Sequence, residues 1–562
     1  KLMVRDILYR DFTDEDDGPI EADLLGSAAD LPLVVTKETT EADQTSQERV
    51  QKKRQELESL SSEELTQTLV TSMIGSRELL PLQKKTLEVL SQGTSCLSVM
   101  ATGRGKSLIF QVHAARVALL QHKMSVFVYP LRALINDQVQ SMKNTFEPLG
   151  ISVEVLNGET DLTCREDLFA RMANNELDIV LTTPEFFSLH ADQFAIAQNI
   201  SFVVFDEAHH VGMNASEGRL AYAQMPKVLK MLGSPQVLAT TATATTQAAQ
   251  HICELLSIEA EHVYKDKTAR TNLELKDLRG AKDRECALLS LVSDGTKTVV
   301  YVNSREQAQA LTRMLRHRIP ELGHKIAFYH AGLTPQIRKN VERAFRRGDV
   351  CCIIATSAFG EGVNISDIRQ VILYHLPFGR VAFNQMSGRA GRDGKLSVIQ
   401  MLFDAHDMRV NERILSSHAP QREALVAVYR ALTALQSKLS APADGSALTD
   451  EDIAQMALEI DPRSKVDEQT VCVALDVFAE LGFISIEGFD QTRTISVNSQ
   501  ASHMDLLESA RYAEGLKAHA EFESFAQWVL SASPDELADA ITKPIVPEIG
   551  STFDGGRESS DE

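Results

Sequence analysis

The sequence has few of the residues that build metal modules, disulfide frameworks or membrane anchors. Its seven cysteines include no CxxC pair, which argues against a zinc module and a disulfide framework and fits a reducing compartment. No apolar run approaches the ~20 residues that a membrane-spanning helix needs, and no signal-peptide pattern is present. We therefore expect a cytoplasmic protein with no membrane partner.

Positive charge is also scarce for a protein that would bind nucleic acid. The 562-residue chain carries a formal net charge of −21. The excess of acidic residues lies in the flanks, however: the net charge is −9 over 1–76 and −16 over 405–562, whereas it is +4 over 77–404. Solvated surface is the usual fate of such charge. The distribution permits a local basic groove in the centre of the chain but does not by itself reveal one.

What the sequence has in plenty is short apolar runs that alternate with helical segments, from Leu97 to Ala244 and again from Lys297 onward. The runs are continuously apolar, as in parallel sheets covered on both faces. Two such blocks predict two tandem α/β domains. The runs are CLSVM, VFVYP, SVEVL, DIVLTT, SFVVFD and QVLATT in the first block, and TVVYV, KIAFYH, CCIIAT, QVILYH and VIQMLF in the second.

Composition divides the rest of the chain. The polar, acidic stretch near the start is typical of a linker, and the last third is mostly helical, with TVCVALDVFAELGFISIEG and TRTISV forming a winged-helix-like helix and hairpin. The predicted parts are a strand remnant and acidic linker at 1–47, α/β domains at 48–260 and 261–405, a helical and winged-helix-like region at 406–545, and a disordered acidic tail at 546–562.

The stretch MATGRGKS, 100–107, places a glycine-bearing turn between a strand and a helix. Backbone N–H groups in such a turn point at an anion, and the helix dipole favours its charge. Lys106 can reach the outer phosphates of a nucleotide, and the Ser107 hydroxyl can hold magnesium. The match to GxxxxGK[ST] is imperfect, because Met100 stands at the first glycine. On this stretch alone, a plain glycine turn stays an alternative.

The stretch SFVVFDEAHH, 201–210, delivers two carboxylates to the end of an apolar strand. Asp206 can bind the metal of a magnesium nucleotide, and Glu207 can orient and deprotonate the attacking water. The alternative is that these carboxylates only form a solvated strand end and have no catalytic role. The phosphate-type turn 100 residues earlier favours the nucleotide site. His209 and His210 lack partners at metal-ligand spacing.

These stretches resemble the motifs of superfamily 2 helicases, and most closely those of the RecQ family. The resemblance implies two tandem RecA-like domains of the P-loop NTPase class, ATP and Mg²⁺ as cofactors, and ATP-dependent DNA unwinding or translocation. The matching motifs are MATGRGKS, DEAH, TATAT at 241–245, QMSGRAGRDG at 385–394, LPLQKKTLEVL near Gln83, YPLRALINDQV, TTPE, YVNSRE, YHAGL and ATSAFGEGVNI.

The resemblance also implies a role for each site residue. The catalytic residues would be Glu207 as the base, Arg389 and Arg392 as arginine fingers, and Gln385. Gln83 would bind the adenine of the nucleotide, and Ser107 and Asp206 would hold magnesium. The phosphates would be bound by Thr102, Gly103, Arg104, Gly105, Lys106 and Ser107. His209, Thr241 and Thr243 would couple hydrolysis to the strand-binding side.

Single-stranded or partly duplex DNA is the partner that the resemblance implies, with movement 3′ to 5′ in recombination or repair. Arg132, Thr183 and Thr356 would contact its backbone, which suits a motor that steps along any sequence. An RNA helicase is one alternative, and an ATP-switched nucleic-acid clamp or adaptor is another. The second is favoured by one departure: the family's aromatic-rich loop is replaced by HVGMNASEGRLAYAQ, whose one large aromatic is Tyr222.

The two ends carry a second, shorter resemblance. KLMVRDI resembles the final strand of the OB-like domain in RecJ-type single-strand exonucleases, and LDVFAELGFISIEG resembles part of their C-terminal region. This predicts a nuclease–helicase fusion with the nuclease in cis, or else a single-strand-binding protein as partner. The DHH signature of such nucleases does not occur here, so the nuclease site would lie upstream of Lys1. An N-terminal arm on a stand-alone helicase is the alternative.

Overall fold

The computed structural model describes residues 41–101, 103–211, 220–360, 365–439, 448–487, 494–498, 505–554 and 557–559. Two parallel sheets, each with helices on both faces, are followed by a mostly helical region. This architecture confirms the predicted fold class. Across these ranges, every helix is too short or too polar to cross a bilayer.

The first sheet contains nine strands. They are β1 Cys96–Val99, β2 Met124–Val128, β3 Val153–Val155, β4 Ile179–Thr182, β5 Ile200–Phe205, β6 Gln236–Thr241, β7 Val263–Asp266, β16 Ser551–Asp554 and β17 Arg557–Ser559. Their order is β17-β16-β7-β1-β6-β5-β2-β4-β3. Every neighbouring pair is parallel except β16 and β17. The C-terminal ends of the parallel strands therefore lie along one edge of the sheet.

Helices cover both faces of this sheet. They are α1 Glu41–Glu58, α2 Ser62–Ile74, α3 Pro81–Ser91, α4 Lys106–Arg116, α5 Arg132–Phe146, α6 Leu162–Ala173, α7 Pro184–Leu189, α8 Ala191–Ile196, α9 Leu220–Ala223, α10 Met225–Met231 and α11 Thr246–Leu256. Neighbouring strand residues face opposite ways, so Val203 packs in one apolar core and Val204 in the other. This double burial explains why the strand runs are continuously apolar.

The second sheet has six strands, all parallel, in the order β10-β11-β9-β12-β13-β8. They are β8 Leu273–Asp277, β9 Thr298–Tyr301, β10 Ile326–Tyr329, β11 Cys352–Ala355, β12 Gln370–Leu373 and β13 Ser397–Met401. The helices between them are α12 Arg284–Val292, α13 Arg305–Arg318, α14 Pro335–Arg347 and α15 Arg380–Ser387.

The C-terminal region divides between a small core of its own and the motor domains. Its elements are α16 Ala405–His418, α17 Arg422–Leu439, α18 Asp450–Ile460, α19 Glu468–Glu480, β14 Ile484–Glu487, β15 Thr494–Val497, α20 Ala510–Ser531 and α21 Pro534–Thr542. The helix α19 and the β14–β15 hairpin have the predicted winged-helix-like order and share a core with α17 and α18. Tyr512, near the start of α20, joins that core, while later side chains of α20 and those of α21 pack into the core of the second sheet.

Three predicted boundaries are corrected. β7 belongs to the first sheet, so that domain runs past residue 260 to Asp266. Residues 41–47, predicted as linker, begin helix α1. Residues 551–554, predicted as disordered tail, form β16 beside β7. The short strands VYKD and STFD contain no continuous apolar run. Their pairing is set by distant partners and not by local composition, so the sequence pattern did not predict them.

The predicted N-terminal strand KLMVRDI and most of the acidic linker lie outside the described residues. The fusion that these stretches suggest therefore stays a prediction.

Candidate functional site

Three strand ends in the middle of the first sheet bring the sequence motifs together. β6 lies between β1 and β5, and all three strands run in the same direction. The N–H of Met100, just after β1, donates to the carbonyl of Thr241 at 3.0 Å. The N–H of Asp206, just after β5, donates to the carbonyl of Val128 at 3.1 Å. This edge, at the carboxyl ends of the strands, is where ligands bind in open α/β sheets.

The turn after β1 has the backbone of a phosphate loop. Gly103 and Gly105 have φ of 82° and 79°, a region that side chains rarely adopt. Gly105 is the N-cap of α4, and no side chain caps that helix start. The first N–H groups of α4, at Lys106 and Ser107, are thus available to an anion. Thr102, predicted to take part, lies outside the described residues.

Gln83 lies against this loop, although its placement differs from a simple adenine reader. The side-chain amide of Gln83 donates to the carbonyls of Arg104 and Gly105 at 3.0 and 3.1 Å, and its oxygen accepts the N–H of Leu80 at 2.8 Å. Both amide hydrogens are therefore engaged with the phosphate loop. Gln83 holds the loop in place here, and its contact with adenine stays a prediction.

Arg104 is tied to a residue that sequence reasoning missed. Its guanidinium lies 3.0 Å from the carboxylate of Asp266, at the end of β7. Asp266 is 4% exposed. The pair fixes the outer side of the phosphate loop to the neighbouring strand. No signal for it existed in the sequence, since β7 itself was not predicted.

The two adjacent carboxylates after β5 have different environments. The Thr240 hydroxyl and the Glu207 N–H both donate to Oδ1 of Asp206, at 2.8 and 2.9 Å. Lys106 Nζ lies 3.4 Å from Oε1 of Glu207. Burial and the charge of Glu207 raise the pKa of Asp206, against the opposing effect of Lys106. Burial alone would raise the pKa of Glu207, but Lys106, His209 and Arg389 together hold it well below its usual range. Glu207 is therefore ionised.

Glu207 also has an unusual backbone. Its φ of 49° and ψ of 47° place a non-glycine residue in the left-handed region, a conformation that concentrates at functional sites. The turn aims its side chain back toward the phosphate loop, where it meets Lys106. Such a strained position at the end of a buried strand supports the role that the DEAH motif predicts.

The predicted coupling residues form one continuous chain of contacts. Nδ1 of His209 lies 3.3 Å from Oε2 of Glu207 and 3.1 Å from the hydroxyl of Thr241. That hydroxyl donates to the carbonyl of Thr243 at 2.9 Å. These contacts connect Glu207 to the loop after β6, and the coupling role of the three residues stays a prediction.

The second domain faces this edge with the predicted arginines. Gln385, Arg389 and Arg392 line a cavity of about 430 Å³ together with Lys106 and Glu207. A Cβ placed at Gly103 would lie 3.6 Å from the carbonyl oxygen of Arg392, so the two domains approach closely here. Burial and the charge of Arg389 lower the pKa of Arg392 well below its usual value, while Glu207 acts in the opposite direction.

A further arginine, also missed from the sequence, holds the loop that carries these fingers. The guanidinium of Arg270 donates to the carbonyls of Gly388, Ala390 and Gly391 at 3.1, 2.7 and 2.7 Å. Three charge-assisted bonds to one turn fix the backbone between Arg389 and Arg392. Arg270 lies in the connection between the sheets, where nothing in the motif pattern pointed to it.

The donor set fits a magnesium ion bound with a nucleotide. Asp206 and Ser107 line the same cavity, and hard oxygen ligands of this kind suit Mg²⁺. The raised pKa of Asp206 reports unfavourable negative charge that a cation would relieve. Ser107 and Asp206 would hold the ion, which would neutralise phosphate charge when bound.

The three predicted nucleic-acid contacts follow the ends of β2, β4 and β11, but their surroundings differ. Arg132 is exposed and lies 3.5 Å from Glu159. Thr356 is half-buried. Thr183 is 4% exposed, and its hydroxyl accepts the Phe186 N–H as the N-cap of α7. Thr183 therefore caps α7, and contact of all three residues with DNA stays a prediction.

Comparison with protein families agrees with this geometry. Residues 80–252 match the DEAD/DEAH box helicase family, and residues 282–394 match the helicase conserved C-terminal domain. The two matches cover β1 to β6 of the first sheet and β9 to β12 of the second. They include the phosphate loop and the DEAH turn in the first, and the arginine loop in the second.

Individual relatives carry helicase names. The chain is 29% identical over 346 residues to an ATP-dependent DNA helicase RecQ from Pasteurella multocida, which is 61% of this chain and 53% of that relative. It is 30% identical over 357 residues to a probable ATP-dependent DNA helicase RecS from Bacillus subtilis, which is 62% of this chain and 69% of that relative. The chain thus spans only about half the length of the Pasteurella relative.

A solved structure supports the fold. The helicase MrfA bound to DNA superposes with a TM-score of 0.52 at 18% identity, over 60% of this chain and 51% of that chain. The likeness concerns the fold alone, and it agrees with a tandem RecA-like pair. Together with the family matches and the RecS relative, the cavity between the two sheets identifies the chain as a member of the RecQ-like family of superfamily 2 helicases.

Proposed function

We propose that this chain is an ATP-dependent DNA helicase or translocase that moves 3′ to 5′ on single-stranded DNA in recombination or repair. One observation carries the proposal: Lys106 and Glu207 of the first domain share a cavity with Arg389 and Arg392 of the second. A site divided in this way is complete only while the domains are close together. Hydrolysis is then coupled to domain motion, which is what a motor requires.

Each residue has a distinct part in hydrolysis. The N–H groups at the start of α4 and the Lys106 ammonium would bind the outer phosphates, while Ser107 and Asp206 would hold Mg²⁺. A phosphate that takes Lys106 weakens its 3.4 Å pair with Glu207. Lys106 contributes to the low pKa of Glu207, so its movement toward the phosphate raises that pKa and makes this carboxylate a better base for the attacking water. Arg389 and Arg392 stabilise charge that develops at the γ-phosphate.

The test compares hydrolysis and unwinding with several nucleic acids. ATP turnover is measured with single-stranded DNA, single-stranded RNA and neither, and strand displacement is measured on duplexes with a 3′ or a 5′ single-stranded tail. We expect stimulation by DNA and displacement only from the 3′ tail. The Glu207→Gln variant serves as the control for contaminating ATPases.

Other outcomes point to the alternatives. Stimulation by RNA alone would replace the DNA motor with an RNA helicase. Hydrolysis without strand displacement from either tail would favour an ATP-switched clamp or adaptor. One feature of the chain is the reason to consider this alternative. The stretch that replaces the aromatic-rich loop has Tyr222 as its only large aromatic, and Tyr222 is 3% exposed. Its ring is therefore buried and does not form a surface on which a nucleic-acid base could stack.

A RecJ-like nuclease in the same polypeptide is a separate proposal. A tethered motor would feed unwound strand to the nuclease at high effective concentration. The coding sequence continuous with Lys1 tests it: a reading frame that contains a DHH motif supports the fusion, and a start codon within a few residues contradicts it.

A further inference from the structure

The C-terminal segment 534–554, called the strap here, contacts both motor domains. It begins in α21, which packs on the second domain, and ends in β16, which joins the sheet of the first. Between these anchors the chain passes the small opening between Thr243 and Gln385. The strap therefore crosses from one half of the ATP cavity to the other.

Its anchor in the second domain lies next to residues 388–392, which carry Arg389 and Arg392 and are called the finger loop here. Leu537 and Ile541 are buried in the core of that domain. The side-chain amide of Asn384, on α15, donates to the carbonyls of Ala540 and Lys543 at 2.8 and 3.0 Å. The residue that follows Asn384 is Gln385, which lines the cavity. The strap thus touches the helix that leads into Arg389 and Arg392.

Arg270 joins the same anchor. Its backbone N–H donates to the carbonyl of Thr542 at 2.9 Å, while its guanidinium holds the finger loop through three carbonyls. One residue therefore connects the strap directly to the loop between Arg389 and Arg392.

The anchor in the first domain lies next to the loop after β6, which contains Thr243. The Ala244 N–H donates to the carbonyl of Ile545, and the Glu548 N–H donates to the Thr246 hydroxyl, both at 3.0 Å. Ala244 directly follows Thr243, the end of the contact chain from Glu207. The strap therefore meets each half of the cavity beside residues that take part in the site.

A buried charge and a close backbone contact fix this second anchor. Lys265 is 0% exposed, and its ammonium donates to the carbonyls of Glu548 and Ile549 at 2.9 and 3.2 Å. A Cβ at Gly550 would lie 2.1 Å from the carbonyl oxygen of Val263, so only glycine fits there. Phe553 then packs beside Tyr264 at a ring distance of 6.4 Å. A lysine buried to bind strap carbonyls is costly without the strap.

We propose that the strap is a positioning element of the motor, which holds the finger loop of the second domain in register with the phosphate loop of the first. This proposal rests on the proposed function. Because the arginine charges matter most in the transition state, a detached strap affects turnover more than ATP binding. β16 lies one strand away from the phosphate loop, and Asp266 of β7 bridges that strand to Arg104.

The test detaches the strap from the first domain in the full chain. Gly550→Ala places a methyl group against the Val263 carbonyl, and Gly348→Ala is the matched control. Both glycines have φ of +82°, but nothing lies within 4 Å of a Cβ at Gly348. Detachment is read independently of catalysis by hydrogen exchange at the Lys267 N–H, which donates to the Phe553 carbonyl at 3.0 Å. A chain that ends after Lys543 is a second variant.

We expect Gly550→Ala and the shortened chain to lose protection at Lys267 and to lower kcat about 10- to 100-fold. The Kd for ATP should change less than about threefold, since the phosphate loop is intact. Gly348→Ala should keep both kcat and protection. A kcat at the parental level with Lys267 unprotected contradicts the strap proposal, and so does an equal loss of kcat and ATP affinity. A parent chain without ATPase activity contradicts the proposed function instead.

Discussion

The two halves of the ATP cavity are held in place by different kinds of contact. On the first-domain side, Lys106, Asp206 and Glu207 lie in turns at neighbouring strand ends of one sheet, and contacts between those strand ends fix them. On the second-domain side, Arg389 and Arg392 sit in a turn that distant residues hold. Arg270 is about 120 residues away in sequence, and the strap contact at Asn384 spans 156 and 159 residues.

This difference separates binding from turnover. The first half supplies the N–H groups, cation and metal ligands that recognise a nucleotide in its ground state. The second half supplies charges whose placement depends on how the domains meet. Damage to the first half should therefore affect ATP affinity or the base directly, whereas damage to the second should affect mainly the transition state.

The largest effect should come from the finger itself. Arg392→Ala removes a buried guanidinium from the cavity, and we expect turnover to fall about 10³-fold or more. The Kd for ATP should change only a few-fold. Steady-state hydrolysis and fluorescent-nucleotide binding measure the two quantities, with Arg313→Ala on the exposed face of α13 as the control. A proportionate loss of both would place Arg392 in ground-state binding.

The next effect distinguishes two residues of the first half. Glu207→Gln keeps the size of the side chain but removes the base, so turnover should fall about 10²–10⁴-fold while ATP still binds. Lys106→Ala should lower turnover and also weaken ATP binding, because the phosphates lose their cation. Isothermal titration with ATP under non-turnover conditions checks the contrast. Hydrolysis at the parental rate in Glu207→Gln would remove Glu207 as the base.

A smaller effect tests the long-range support. Arg270→Ala frees three carbonyls of the finger loop, and we expect kcat to fall about 10- to 100-fold with ATP affinity little changed. Arg270→Lys should recover part of the loss, since one ammonium can bond some of these carbonyls. Lys282→Ala, exposed in the same domain, is the control. If Arg270→Ala lowers thermal stability but leaves kcat intact, Arg270 is structural only.

The smallest effect is a shift in pH dependence. His209 contributes to the low pKa of Glu207, and a carboxylate with a depressed pKa stays ionised to lower pH. His209→Gln removes that contribution, so the acidic limb of the turnover profile should move to higher pH. His251→Gln, exposed on α11, should leave the profile unchanged. An acidic limb that stays in place in His209→Gln would show that Glu207 does not control it.

Much of the first half could be predicted because its chemistry is local. MATGRGKS and DEAH each place functional side chains within a few residues of a strand end, and parallel strands bring those ends to one edge. Arg389 and Arg392 were instead predicted from the family resemblance of QMSGRAGRDG. Gln83 shows the limit of this reasoning, since its burial against the Arg104 and Gly105 carbonyls depends on how α3 packs.

The contacts that sequence reasoning missed are all non-local. Asp266 and Lys265 lie in VYKD, a strand that contains charged residues and lacks the continuous apolar run from which strands were predicted. β16 lies in STFD, within a stretch whose acidic composition favoured disorder. Each becomes a strand or an ion-pair partner only because another segment, hundreds of residues away for β16, lies beside it.

The two parallel-sheet domains, the phosphate loop and the DEAH carboxylates can be predicted from the sequence alone, because strand patterning and turn chemistry act over a few residues. Three features require the folded chain: the left-handed backbone of Glu207 beside Lys106, the contacts of Arg270 with the finger loop, and the connection of the two domains by 534–554. These features depend on backbone carbonyls and buried charges finding partners across the fold, and the hydrogen-bonding capacity of a backbone is the same in every sequence.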